Sequence, residues 1–439
     1  MKHFFIATMG CQMNDYDSDY LSQLLLNYGY SPADSHENAD LIMINTCTVR
    51  EKAQQKAFSF LGRMIKFKRR NPDIILGIMG CVAQQYGANL IKKYPELDLV
   101  MGTREISGIP QLLERIIFRN ERVVATDLSQ LPSPGLNSNG YFKGRVKANV
   151  SIMEGCDNYC SYCIVPYVRG RETSRAPGDI IKEVEGLISQ GVKEVTLLGQ
   201  NVNSYYSEEG SNTDFPRLLR MIGKLESLLR IRFTTSHPKD VSKDLFRAFE
   251  DIENLCPHIH LPFQAGSDRV LKLMNRGYSR DSYMSLVKRF RDIRSDFAIT
   301  SDVMVGFPSE TEDDFKKTLD LIEKIEFDNI FSFKYSDRTG TRASRMENKV
   351  GEREKSNRLK VLQEMQKKIT LARNRKLEGK VKEILIEGKS KRKTQFTGRT
   401  NTNKIVNFIS DIESIGELVN VKIKRGFINS LHGEKLKLQ

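Results

Sequence analysis

Gly155-Cys156-Asp157-Asn158-Tyr159-Cys160-Ser161-Tyr162-Cys163 places three cysteines at C-x3-C-x2-C spacing, directly after the apolar run 148–153. Three thiolates on one short loop can face three irons of a cubane cluster. A closed zinc site would need a fourth protein ligand, and the next cysteine, Cys256, is about ninety residues on. The spacing therefore points to a [4Fe–4S] cluster with one iron open to an exogenous ligand.

Downstream of the loop, apolar runs at 194–198, 231–234, 258–261, 299–303 and 330–333 alternate with amphipathic segments such as 178–190 and 313–324. With the run at 148–153 they make six βα units. The fold class expected for residues 146–378 is a partial (β/α)6 barrel, whose reactive groups gather at the strand C-termini.

Upstream, residues 1–118 alternate in the same way, with strands expected at 4–9, 41–45, 74–79 and 97–100, giving a doubly wound parallel sheet. Cys11, Cys47 and Cys81 each follow one of the first three runs. Ligands of open α/β sheets bind outside the carboxyl ends of strands, so these distant thiols converge on one edge. Residues 119–145, with Leu131-Pro132-Ser133-Pro134-Gly135, are expected to be a linker. Cys256, the seventh cysteine, is expected to be a core thiol.

After a charged helical stretch, residues 379–439 change period to five short β-like runs, expected to form a small barrel that binds RNA. Its densest basic cluster is Lys389, Lys391, Arg392 and Lys393. The whole chain of 439 residues carries a net +14, and residues 351–439 supply 22 Lys/Arg against 10 Asp/Glu. Such a localised excess fits a polyanion partner. The chain has no tryptophan, so base stacking would fall to Tyr, Phe or Arg. Without a run of about 18 apolar residues a membrane span is excluded, and a cytoplasmic location is expected.

The C-x3-C-x2-C loop at the first strand of a partial barrel resembles the radical S-adenosylmethionine superfamily. The run Ile164-Val165-Pro166-Tyr167-Val168-Arg169-Gly170-Arg171-Glu172 narrows the likeness. So do Leu198-Gly199-Gln200-Asn201-Val202-Asn203, His260-Leu261-Pro262-Phe263-Gln264-Ala265-Gly266-Ser267 and Gly306-Phe307-Pro308. Together they are similar to the methylthiotransferase family, and the likeness spans an N-terminal domain with three scattered cysteines, the radical core and a TRAM-like barrel.

The resemblance implies two [4Fe–4S] clusters, one on Cys11, Cys47 and Cys81, the other on Cys156, Cys160 and Cys163 with S-adenosylmethionine on its open iron. It implies methylthiolation at carbon 2 of N(6)-dimethylallyladenosine beside the tRNA anticodon. That reaction breaks a strong, non-acidic C–H bond, beyond side-chain acid–base chemistry, so a cofactor must carry it. Gly199, Gln200, Ser236 and Gln264 are candidate S-adenosylmethionine contacts. A reductant such as flavodoxin or ferredoxin, a sulfur source, the tRNA anticodon stem-loop and a monomeric state complete the expectation. Relatives within the family act on threonylcarbamoyl-adenosine or a ribosomal protein, and a non-catalytic Fe–S RNA-binding protein is a separate alternative.

Three smaller expectations accompany these. Arg169 and Arg171 are placed near substrate phosphate or the cofactor carboxylate, or in surface salt bridges. His258 and His260 are expected on opposite faces of one strand. The C-terminal barrel is expected to serve RNA binding alone, leaving RNA-free cofactor cleavage intact when removed.

Overall fold

The computed structural model describes residues 2–48, 51–130, 135, 140–209, 212–390, 395–409 and 415–436. Lys391, Arg392 and Lys393 of the expected basic cluster lie outside the described residues, as does most of the expected linker run at 131–140.

The N-terminal unit is a six-stranded parallel sheet, and its central strands are buried on both faces. Leu41–Thr46 is buried at every position, as expected for a parallel strand covered by helices on both sides. Across the sheet the strands run Tyr30–Pro32, Lys2–Met9, Leu41–Thr46, Ile75–Gly80, Leu99–Met101, Val123–Ala125. The two outermost strands, absent from the sequence reading, are three residues each. Such short edges leave little periodicity to read.

The central unit is the expected open barrel. Parallel strands Lys147–Ser151, Glu194–Leu198 and Arg230–Thr234 form one half, and His258–His260, Ala298–Val305 and Asn329–Lys334 the other. The halves meet through Cys256 N to Ile231 O (3.0 Å) and Ser236 N to His260 O (3.3 Å). Connecting helices carry their own start signals. Glu312–Ile325, for example, begins with Thr311 and Asp314 capping each other reciprocally.

The helix Glu352–Arg375 packs along the last barrel strand and leads into a closed five-stranded barrel. Its strands alternate inward and outward, so Ile384, Ile386, Phe396, Val406, Phe408, Val421, Ile423 and Leu431 fill the interior. No helix among the described residues is long and apolar enough to cross a membrane.

Candidate functional site

The strand order of the N-terminal sheet reverses between Lys2–Met9 and Leu41–Thr46, the position where open α/β sheets form a crevice. Cys11 and Cys47 lie just past these two strands, and Cys81 just past the adjacent strand Ile75–Gly80. A buried amide network fixes this edge. Asn14 Oδ1 accepts from Cys11 N (3.1 Å) and Cys11 Sγ (3.5 Å), and Asn14 Nδ2 donates to Asn45 Oδ1 (2.9 Å). Asn45 Nδ2 donates back to Asn14 O (2.8 Å) and to Ser18 Oγ (2.9 Å). A hydrogen bond with the Cys47 side chain lowers the Cys11 thiol to about 6 against the opposing effect of burial, and the charge of Arg169 assists. Burial pushes the Cys81 thiol up, while Arg169 pulls the other way.

The second trio sits on the loop after Lys147–Ser151 and the short strand Met153–Glu154. Gly155 makes that loop possible. Its φ is +81°, and a Cβ there would fall 2.1 Å from Arg171 O. Cys156 N donates to Gly170 O (3.3 Å), and Cys163 N to Cys160 O (2.9 Å) closes the turn. Burial and then the neighbouring Cys160 push the Cys163 thiol up to about 12. Donors already face the sulfurs: Arg276 Nη1 lies 3.4 Å from Cys160 Sγ, and Asn158 Nδ2 lies 3.4 Å from Cys156 Sγ. Arg276 is itself fixed by Pro262 O (2.9 Å).

The two trios share one boundary. Cys81 packs with Ile164 and Val168, which follow the C-x3-C-x2-C motif. At the same seam Thr103 Oγ1 donates to Val168 O (2.9 Å) and Arg104 Nη2 to Arg171 O (2.9 Å). Arg169 does not make the surface salt bridge expected of it. It is buried against Asp17 (2.5 Å), with Glu154 3.9 Å away. Arg171, by contrast, is exposed and pairs with Asp157 at 3.4 Å.

A cavity of about 800 Å³ occupies the interior of the open barrel and reaches Cys11 on one side. His258 and His260 both line it, contrary to the expectation of opposite faces, because residues two apart on a strand share a face. Each lies 3.1 Å from Thr300 Oγ1, and His260 Nε2 is 3.5 Å from Asp302. Phe331, in the same wall, turns edge-on to His260 at 6.0 Å and keeps 44% of its surface exposed. It gives the cavity a flat aromatic face.

The four candidate cofactor contacts stand past three successive strands, with Gly199 and Gln200 after the same one. Gly199 lines the cavity, and its N donates to Thr234 O (3.2 Å). Gln200 Oε1 accepts from Gly155 N (2.5 Å), bracing the cysteine loop. Ser236 is buried beside His237, and Gln264 is buried with its N on Asp302 O (3.0 Å). Among the described residues, the buried atoms Ser161 Oγ, Ser236 Oγ and His237 Nε2 lack a hydrogen-bond partner. Burial, then Arg276, lowers the His237 imidazole to about 2, so it is neutral. Cys256 is a buried thiol raised by burial, away from both trios. Asn14, Asn45, Asp17 and Arg276 were not found by sequence reasoning; of these only Asn45, two residues before Cys47, carried a positional hint.

Among the described residues no three Cys, His, Asp or Glu side chains close on a single ion. The residues nevertheless fit a larger group. The thiols of each trio sense one another electrostatically, polar donors face the sulfurs, and orphaned buried polar atoms stand on the same rim.

Comparison with known proteins agrees with this architecture. Residues 150–322 match the radical SAM superfamily, residues 375–436 the TRAM domain, and residues 3–102 the uncharacterized protein family UPF0004. The radical S-adenosylmethionine methyltransferase TsrM from Kitasatospora setae, solved with cobalamin and a [4Fe-4S] cluster, superposes with a TM-score of 0.56. At 14% identity, over 78% of this chain and 77% of that one, the likeness speaks to fold. Fold and site thus define a radical S-adenosylmethionine protein, a class that uses S-adenosylmethionine and a [4Fe–4S] cluster. The chain is 50% identical to the tRNA-2-methylthio-N(6)-dimethylallyladenosine synthase of Syntrophus aciditrophicus, over 99% of this chain and 95% of that protein. The synthase of Syntrophobacter fumaroxidans is 47% identical over 99% and 96%. The chain belongs to the family of tRNA-2-methylthio-N(6)-dimethylallyladenosine synthases.

Proposed function

We propose that the chain inserts a methylthio group at carbon 2 of N(6)-dimethylallyladenosine in the tRNA anticodon loop. Cys156, Cys160 and Cys163 hold the [4Fe–4S] cluster that binds S-adenosylmethionine, and Cys11, Cys47 and Cys81 hold a second one. The observation that supports this reading most is the shared seam: Cys81 rests on the helix that follows the other trio, and Cys11 faces the barrel cavity. A target base in that cavity would lie between a radical source and a sulfur source. When bound, the reduced cluster with its S-adenosylmethionine supplies one-electron cleavage chemistry that no side chain offers.

The protein's own groups position and exclude. Arg276 and Asn158 donate toward the sulfurs and offset thiolate charge. Gly199, Gln200, Ser236 and Gln264 form the rim on which S-adenosylmethionine is held. The Phe331 face offers a stacking surface for the target adenine in a chain without tryptophan. Residues of all three units line the cavity: Gln12 and Asp15 from the helix that follows Cys11, Asn149 and Asn329 from the barrel, and Asn403 and Asn429 from the small barrel. We place the domain limits at 1–118, 146–378 and 379–439, with residues 119–145 as the linker. Reducing equivalents come from flavodoxin or ferredoxin and sulfur from a separate source, with the protein acting as a monomer in the cytoplasm.

An anaerobic reaction of the reconstituted, reduced protein with S-adenosylmethionine and tRNA carrying dimethylallyladenosine tests the reading. Both 5′-deoxyadenosine and the 2-methylthio nucleoside are expected. The first product without the second would remove the methylthiolation step, and neither product would remove the enzyme.

A further inference from the structure

The small C-terminal barrel does not hang from the core as a tether. It is seated against the N-terminal ends of the core strands, opposite the cysteine rim, and the contacts are buried and charged. Arg230 and Arg232 begin the third core strand, with side chains only 3% and 6% exposed. Arg230 Nη1 donates to Arg399 O (2.6 Å). Arg232 donates to Asn401 O (2.9 Å) and Thr400 O (2.9 Å), and its Nε pairs with Glu194 at 3.0 Å. On the far side Asp328 receives Lys404 (2.8 Å), Arg373 (3.1 Å) and Ile299 N (3.0 Å). Lys147 of the first strand pairs with Glu387 at 2.8 Å. First, third and last core strands are thus each bonded to the same small barrel or its leading helix. Its residues Arg399, Thr402, Asn403, Lys404 and Ile405 then form part of the wall of the 800 Å³ cavity.

We infer that the C-terminal barrel is the floor of the reaction cavity, so that the site is incomplete without it and RNA binding is only one of its two tasks. This rests on the reading of the central barrel as the site of S-adenosylmethionine cleavage. Without the floor, two buried guanidiniums lose their carbonyl acceptors on the small barrel, and the open barrel loses the piece that spans its first and last strands. A module that served RNA alone would need no such bonds beneath the catalytic strands.

The test uses the full chain with Lys404→Met and Glu387→Gln combined, two partly buried changes on the small barrel itself. Arg232→Met is a harsher companion. Hydrogen–deuterium exchange is followed in residues 230–234 and 329–334, and 5′-deoxyadenosine formation is measured with S-adenosylmethionine and no RNA. The inference expects exchange in those core strands to accelerate about tenfold and RNA-free cleavage to fall several-fold. It is overturned if the paired variant keeps either core protection or RNA-free cleavage at the parent level. If the unsubstituted protein itself fails to cleave, the functional reading has failed, while the exchange measurement still decides the docking.

Discussion

Asp17 and Arg169, 152 residues apart in sequence, form a buried ion pair of 2.5 Å between the helix that follows Cys11 and the helix that follows Cys163. Burial works against the Arg169 charge, and Asp17 and the neighbouring Cys81 hold it protonated all the same. The pair therefore fixes how the two thiol trios face each other.

Removing one partner leaves the other charge buried and alone, at a cost of about 3–5 kcal/mol. Arg169→Met is expected to lose stability on that scale in anaerobic urea unfolding. Joining it to Asp17→Asn should restore a substantial part. An Arg169→Met protein as stable as the parent would show that the pair holds nothing together.

The trios are separable by product. Cys156→Ala, Cys160→Ala and Cys163→Ala each abolish 5′-deoxyadenosine formation. Cys11→Ala, Cys47→Ala and Cys81→Ala leave it detectable but stop formation of the 2-methylthio nucleoside. Chromatography of both products from one reaction checks the division, and loss of both in every variant would contradict it.

Gly155→Ala drives a methyl group toward Arg171 O in a backbone region that favours glycine. The loop must shift, so iron bound per chain is expected to fall by about half, with the N-terminal site retained. Full iron content with normal cleavage would show that the loop tolerates the change.

His258 supplies a pH dependence with a definite sign. Burial, then the charge of Arg232, lowers its imidazole to about 3 from an ordinary value near 6.5. Between those values the unfolded chain takes up a proton that the folded one refuses. Stability from this group is fully present above about pH 6.5 and declines as pH falls toward 3, by about 1.4 kcal/mol per unit. In urea unfolding across that range, His258→Asn should flatten the acid side by that amount; an unchanged slope would contradict the assignment.

Local patterns were legible where chemistry demands close spacing or strict period. Cys156, Cys160 and Cys163 announce their site because one loop carries all three, and buried parallel strands such as Leu41–Thr46 read as continuous apolar runs. Cys11, Cys47 and Cys81 could be grouped only through the strand ends they follow. The structure adds the Asn14–Asn45 amide network that orders that edge. Contacts between units left no local trace. Nothing adjacent to Arg169 predicts Asp17, and nothing near Arg232 predicts the carbonyls of Thr400 and Asn401. The misplaced faces of His258 and His260 were an error of strand period, since both belong to one wall.

Mössbauer spectroscopy of iron-57-labelled protein, kept free of oxygen and compared with the Cys156→Ala/Cys160→Ala/Cys163→Ala triple variant, counts the clusters and shows which trio holds each. Two [4Fe–4S] centres per chain are expected in the parent and one in the variant, with S-adenosylmethionine perturbing a single iron only in the parent. A parent with one centre, or a variant with none, would contradict the two-cluster reading.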